Sequence, residues 1–334
     1  MTAEPGNQYA GQFPVRAQGT YHIEITSPDG RHYNGSNEYD IDVLEDRPPT
    51  VVIEKPGRDL KVSSVQEVFA EVRAEDDYGV ASVDLYYSVN GGEERRLPLQ
   101  ELKNGSAQSL TGSHTFFLEE LKLKPGDFIS YYAKARDNNS VDGPGESTSD
   151  IYFMEVRPFD RQFRQAQQQG GGGGGGDDDS NALTRRQREI IAATFRVQRE
   201  EPRYKQQEKD ENYDTVRLSQ NRLKTDTDAL IVRIKDRLGE QLGNDKNSDY
   251  AKLVEYLGQA SKEMDSASGE LGGRKSKEAM PPEQRALQQL LRAEAVFRDI
   301  QVASGAQGQG GGSQNAQELA DLFVILDFAS RFIR

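Results

Sequence analysis

The stretch QAQQQGGGGGGGDDDS, Gln165 to Ser180, constrains this chain more than any other. Seven consecutive glycines bury no side chains and lose the most backbone entropy on ordering, so the segment reads as a linker and each flank must fold from its own pattern. The two patterns differ: apolar residues recur with period two before the linker and with a period of about three and a half after it. A Walker-type phosphate loop is excluded, because no Lys-Ser or Lys-Thr follows the glycines.

From Thr50 onward, seven period-two segments are separated by turn signals. TVVIEKP opens. EVFAEVRAED puts Val68, Ala70, Val72 and Ala74 on one face, and VASVDLYYSV does the same with Val83, Leu85, Tyr87 and Val89. Asn90-Gly91 supplies the two positive φ angles of a tight hairpin. RRLPLQEL is a strand that Pro98 confines to an edge. SHTFFLEEL follows, LKPGDFISYYAKARD turns at Pro125-Gly126 into the longest strand, and SDIYFMEVRP closes the series. This pattern predicts an all-β immunoglobulin-like or fibronectin-like sandwich over residues 48–158. Upstream, QGTYHIEITSPDG and NEYDIDVLEDRPP predict a hairpin ending at Pro48-Pro49. Residues 1–47 hold too few strands to stand alone and read as a partial immunoglobulin-like β unit, which leaves Val15, Tyr21, Ile23 and Ile25 without a second sheet.

Beyond the Gln/Gly/Asp-rich linker, 159–181, a largely α-helical region is predicted over 182–304. Ser180 and Asn181 can cap ALTRRQREIIAATFRVQREE, whose apolar side is Ile190, Ile191, Phe195 and Val197. A second helix places Val216, Leu223, Leu230, Ile234, Leu238 and Leu242 near one stripe. Ser248 caps a third, and Pro281-Pro282 begin a fourth at the position where a missing amide hydrogen costs nothing. Such narrow stripes suit a bundle or coiled coil, and they point to a protein partner or to self-association through the helical region. A Gly/Gln-rich linker, 305–315, leads to a terminal hydrophobic helix, 316–334. There Leu322 to Phe328 wrap most of the circumference, so the apolar surface needs a cover.

Composition removes several functions. With 334 residues, 34% hydrophobic, and a mean hydropathy of -0.81, part of the chain is expected to be non-globular. A net charge of -13 opposes nucleic acid as the main partner. The absence of cysteine removes disulfides, thiol catalysis and thiolate metal sites. No apolar run of about 18 residues and no signal segment after Met1 are found, so a membrane is reached only through segments missing from this chain.

Two loops collect oxygen donors. AEDDYG carries Glu75, Asp76 and Asp77, and RDNNSVDGPGES carries Asp137, Asn138, Asn139 and Asp142. In a sandwich these loops leave the same end, and convergent oxygens are the donor set of a structural calcium ion, which takes six to eight. The alternative is that Asp and Asn fold back on their own backbone in turns while Gly79 takes an unusual dihedral. His22, His32 and His114 lack a second imidazole at a ligand spacing and read as structural. The RRQR run, Arg185 to Arg188, has the composition of a phosphate site, yet Glu189, Glu200 and Glu201 follow closely, so a solvated helix face is expected. No nucleophile elbow or dinucleotide fingerprint occurs, and the carboxylates lie in polar surroundings, so no catalytic residue is assigned and no enzyme is expected.

The segments RPPTVVIEKPGRDLKVSSVQEVFAEVRAEDDYGVASVDLYYSVNGG, LKPGDFISYYAKARDNN and QQLLRAEAVFRDIQVASGAQGQGGGSQNAQELADLF resemble the uncharacterised bacterial membrane-anchored envelope proteins grouped as domain-of-unknown-function family 4175, over most of the chain. The resemblance implies membrane helices, immunoglobulin-like domains and long Gln/Gly-rich helical regions on the periplasmic side of the cell envelope. It carries no catalytic residues. Missing membrane helices, and VILDFASRFIR where a long charged helix belongs, are read as marks of a fragment. The expected function is a non-enzymatic envelope-associated scaffold or protein-interaction protein. The rival is a carbohydrate- or peptidoglycan-binding module using Tyr86, Tyr131 or Tyr132, which requires their rings on one solvent face. A third reading is an enzyme active only in the full-length protein.

Overall fold

The computed structural model describes residues 2–306 apart from 5, 7, 16, 44–45, 103–106, 141–142, 159–181 and 245–247. The chain divides into two units, Met1–Arg47 and Pro48–Arg334. The first consists of short antiparallel pairs: β1 (Thr2–Glu4) with β2 (Gln8–Ala10), β3 (Gly19–Tyr21) with β6 (Tyr39–Ile41), and β4 (Glu24–Thr26) with β5 (His32–Asn34). The last two pairs form the expected hairpin. Its turn is closed by Ser27 N donating to Arg31 O and Gly30 N to Ser27 O, both at 2.9 Å, with Gly30 at φ +82°. Tyr21 stacks on Tyr39 with centroids 5.1 Å apart and meets the tilted ring of Phe13 at 5.5 Å, yet Val15, Tyr21, Ile23 and Ile25 stay exposed.

The second unit begins with one sheet of eight strands: β7 (Thr50–Lys55), β8 (Leu60–Val62), β9 (Glu67–Val89), β10 (Arg95–Glu101), β11 (Ala107–Phe117), β12 (Phe128–Asp137), β13 (Glu146–Thr148) and β14 (Tyr152–Val156). The second and third expected strands are thus a single strand of 23 residues, β9. Its first half pairs with β7 and β11, its second half with β10 and β12; β12 continues to β13 and β14, and β14 runs parallel to β8. The switch occurs at AEDDYG. Glu75 pairs with Ser109 and Val80 with Ala107, so Asp76 to Gly79 bulge out opposite Gln108 alone, and Gly79 takes φ +134°. A bulge bends a strand and raises its twist, which folds the two halves of the sheet over one core. Val72, Ala74, Leu85, Ile129, Tyr131 and Met154 are fully buried there. β8 and β13, three residues each, are too short to show a period of two.

The turn chemistry holds. Asn90 and Gly91 have φ 53° and 71°, and Gly126 after Pro125 has φ 87°. Pro98 lies on β10, at the end of the strand order, where the register slips between Pro98 and Gln100.

Four helices follow: α1 (Ala182–Glu200), α2 (Gln206–Asn244), α3 (Asp249–Gly272) and α4 (Ser276–Ala306). The stripes read from sequence bury Ile190, Val197, Val216, Leu223, Leu230 and Ile234 in a common core with α3 and α4. Ser248 caps α3 by accepting from Ala251 N at 3.3 Å. One expectation fails: α4 starts at Ser276, and Pro281 and Pro282 lie inside it. The extra N-terminal turn is held from outside the helix, because the Tyr213 hydroxyl accepts from Ser276 N at 3.3 Å while Ala279 and Met280 pack into the apolar clusters. The expected linker 159–181, the side chains of Leu238 and Leu242, residues 307–315 and the terminal helix 316–334 lie outside the described residues. Gly305 and Ala306 belong to α4.

The part of the sheet that holds β12 and β14 is covered on both faces. Along β12, Ile129, Tyr131, Ala133 and Ala135 enter the sheet's own core. The intervening Phe128 and Tyr132 join Ile151 and Phe153 against Ile191 and Phe195 of α1 and Leu287 and Leu291 of α4. Helices α1 and α4 therefore each carry two apolar sides, one toward the bundle and one toward the sheet. Gly91 and Gly126 permit this approach as well as the positive φ: a Cβ on Gly91 would lie 2.7 Å from Gln284 Cβ, and one on Gly126 would lie 3.0 Å from Arg292 Cγ.

A polar layer crosses the bundle core. Gln187 and Gln220 exchange amide hydrogen bonds at 3.2 and 3.0 Å, and Gln187 also donates to the Glu283 carbonyl at 3.1 Å. The Glu283 carboxyl is enclosed. Thr194 Oγ1 donates to its Oε1 at 2.7 Å, while Oε2 meets no hydrogen-bond partner among the described residues. Burial pushes its pKa well above the ordinary 4.5, so it is held as the neutral acid. In the unfolded chain it ionises near 4.5, so its contribution is full below that pH and is lost as pH rises toward the raised folded value. Glu283→Gln is accordingly expected to raise the melting temperature at pH 7.5, with the gain vanishing at pH 4. Equal melting curves for both proteins at pH 7.5 would contradict the burial of an ionisable acid here.

Candidate functional site

The acidic bulge and its neighbour come together, and Asp76 and Asp137 each turn one oxygen to backbone. Asn138 N donates to Gly79 O at 3.2 Å and Asp137 pairs with Val80, which places the two segments side by side. Asp76 Oδ2 accepts from Tyr78 N at 3.0 Å and Gly79 N at 2.6 Å. Asp137, buried, accepts through Oδ1 from Asn139 N at 3.0 Å and Gly145 N at 2.9 Å. Glu75 is paired with Arg73. The Asp76 and Asp77 carboxylates lie within 4.8 Å of one another, and Asp137 does not join them at that distance among the described residues. Asp142 lies outside the described residues. Turn bonds occupy Asp76 Oδ2 and Asp137 Oδ1, while Asp76 Oδ1 is enclosed with no hydrogen-bond partner among the described residues.

The tyrosines do not share a solvent face. Tyr131 is in the sheet core, where burial raises its pKa. Tyr86 and Tyr132 stack on one another, centroids 5.3 Å apart and planes 7° from parallel, and Phe195 covers Tyr132 at 4.8 Å. Burial first, and then a bond from its hydroxyl to Glu94 Oε2 at 2.7 Å, raises the Tyr132 pKa. His114 lies against Phe116, centroids 4.9 Å apart, and burial lowers its pKa. His22 and His32 lie beside Glu24 on the exposed first unit.

The Arg185–Arg188 run is the main correction. A solvated face was expected. Arg186 pairs with Asp226 of α2 at 2.6 Å, and Gln187 is fully buried. Arg188 reaches the sheet, with Nη1 3.6 Å from Asp59 and Nη2 3.6 Å from Glu155. Only Arg185, 4.0 Å from Glu189, keeps the expected exposure. Helix period and nearby acids could not reveal this, because the partners lie some 30 to 130 positions away and on other elements.

Arg188 belongs to a buried ionic network between sheet and helices. Glu155 on β14 and Arg157 just after it pair at 2.9 Å, Arg157 lies 3.9 Å from Glu294 on α4, and Arg298 contacts both Glu294 and Glu155, the latter at 4.0 Å. Thr184 of α1 donates to Glu294 Oε2 at 3.0 Å. Asp59 receives Phe153 N at 3.0 Å, and burial outweighs that bond and Arg188 to leave its pKa raised. Three acids and three arginines thus balance. On the same face Gln284 accepts from Ser88 at 3.0 Å and Ser130 at 3.3 Å, and Asp127 binds Gln288 and Arg292 at 3.0 and 3.3 Å.

Two grooves flank this junction. One, about 710 Å³, lies beside β7, β13 and the end of α1; its Lys134 and Arg199 are paired with Glu146, Asp150 and Glu200. The other, about 650 Å³, lies between the β7–β8 loop, the start of β14 and α1.

Removing one member of a buried network leaves the others uncompensated, at a cost of about 3–5 kcal/mol. Glu155→Ala is expected to lower unfolding stability by that order in urea titration, because Arg157, Arg188 and Arg298 all converge on it. A loss under about 1 kcal/mol, the range of exposed pairs, would show that water screens the network.

No protein-family model and no curated protein matches the chain. Solved structures with some similarity include fibronectin(III)-like modules of CbhA from Clostridium thermocellum (19% identity, 42% of this chain and 64% of that one, TM-score 0.22). Others are the sporulation control protein Spo0M from Bacillus subtilis (12%, 38% and 57%, TM-score 0.22) and a bromine derivative of BhCBM56 (12%, 34% and 99%, TM-score 0.19). At these TM-scores the likeness carries no argument about function.

Proposed function

We propose that the chain is a scaffold or protein-interaction part of a bacterial cell-envelope protein, and that its β region is an immunoglobulin-like or fibronectin-like sandwich. The observation that supports this reading best is the junction: β region and helices are held together by a shared apolar cluster and a balanced ionic network, so the charged groups there serve to fix one body against another. Such a unit presents surfaces in a set relation, which is what a scaffold supplies. The sandwich reading draws on eight strands whose two layers are joined by the bulged β9. The envelope reading draws on the resemblance of the β and helical segments to family 4175.

Self-association through the helical region is part of the proposal. The full chain at tens of micromolar, a concentration range for weak association, is expected to sediment as more than a monomer. In its native host it is expected to fractionate with the envelope. A strictly monomeric chain recovered in the cytosolic fraction would contradict both parts.

A further inference from the structure

The 650 Å³ groove beside α1 is of ligand size and has a lining unlike the rest of this acidic chain. Five cations border it, Arg58, Lys61, Arg185, Arg188 and Arg196, against three acids, Asp59, Asp150 and Glu189. Asp59 pairs with Arg188 at 3.6 Å and Glu189 with Arg185 at 4.0 Å, whereas Asp150 pairs with Arg199 at 2.9 Å, outside the groove lining. Arg58 and Arg196 make no ion pair among the described residues. Apolar Ile151, Phe153, Ala192 and Phe195 form part of the wall, and Tyr152 adds a half-buried ring.

The chain's net charge of -13 makes an excess of two cations at one groove a local exception. Guanidinium groups present paired N–H donors that match phosphate oxygens, and a wall of apolar and aromatic groups suits the body of a sugar or polyol. A carboxylate ligand would need only one such fork; two, from Arg58 and Arg196, suit the higher charge of a phosphate. We propose that this groove binds a phosphorylated sugar or polyol, free or as the headgroup of a lipid. Arg58 and Arg196 contact the phosphate, and Arg188 ties the site to the ionic network beneath it. This goes beyond a scaffold role, since it gives the junction a ligand of its own.

The test uses the full chain, with inositol 1-phosphate as the soluble probe, unphosphorylated inositol as its neutral counterpart, and phosphatidylinositol vesicles against phosphatidylcholine vesicles as the lipid arm. Arg58→Ala with Arg196→Ala removes two exposed side chains that form no ion pair among the described residues. The double variant is expected to keep its melting temperature and lose at least tenfold in affinity. Arg73→Ala with Arg136→Ala, two exposed residues outside the groove, is expected to change affinity less than twofold. Saturable binding of inositol 1-phosphate but not inositol assigns a free ligand, and binding of phosphatidylinositol vesicles alone assigns a headgroup. Binding of neither probe, or binding that the double variant leaves intact, would overturn the proposal. Either result would leave the scaffold reading to stand on its sedimentation and fractionation.

Discussion

Burial of the β12 and β14 part of the sheet on both faces is the constraint on which the rest of this structure depends. A sheet with one solvated face needs helices nowhere near it, whereas here Phe128, Tyr132 and Phe153 leave the sheet's own core and require cover. Helices α1 and α4 supply it with Ile191, Phe195, Leu287 and Leu291. Each such side chain contributes about 1.5–3 kcal/mol when withdrawn from water. The ionic network on the same face has a different part. Buried pairs roughly break even after desolvation, so apolar contact holds the two regions together while Glu155, Arg157, Glu294 and Arg298 select their orientation.

The same constraint explains the form of β9. A strand that serves both layers has to change direction without leaving its backbone groups unpaired. Asp76 solves this by accepting from Tyr78 N and Gly79 N within the bulge, and Gly79 takes a φ that side chains rarely adopt. Asp137 does the equivalent for the adjoining segment through Asn139 N and Gly145 N. Two of the acids that look like ligands in sequence, Asp76 and Asp137, are in this fold partners of turning backbone.

Much of the fold was legible because local chemistry and tertiary demand agree. Period two located the core positions Val68, Ala70, Val72 and Leu85, Asn90-Gly91 marked a hairpin with both φ values positive, and Ser248 marked a helix start. What was hidden depends on distant partners. Pro281-Pro282 signal a helix start only if nothing holds the turn before them, and Tyr213 does so from 63 positions away. Arg188 reads as solvated until Asp59 and Glu155 are brought to it, and Tyr131 and Tyr132 read alike although one faces the sheet core and the other α1. The groove was legible only as the composition of Arg185 to Arg188, because Arg58 and Lys61 come from the far side of the chain.

If sheet and helices form one cooperative body, their most protected amides open together. Native-state hydrogen exchange of the full chain in increasing denaturant measures this directly, comparing Phe128–Tyr132 on β12 with Leu287–Leu291 on α4. The expected result is a common opening free energy for both segments, with the same denaturant dependence. Exchange in α4 through a separate, lower-energy opening that leaves β12 protected would show two independent modules and contradict the junction as the organising feature of the protein.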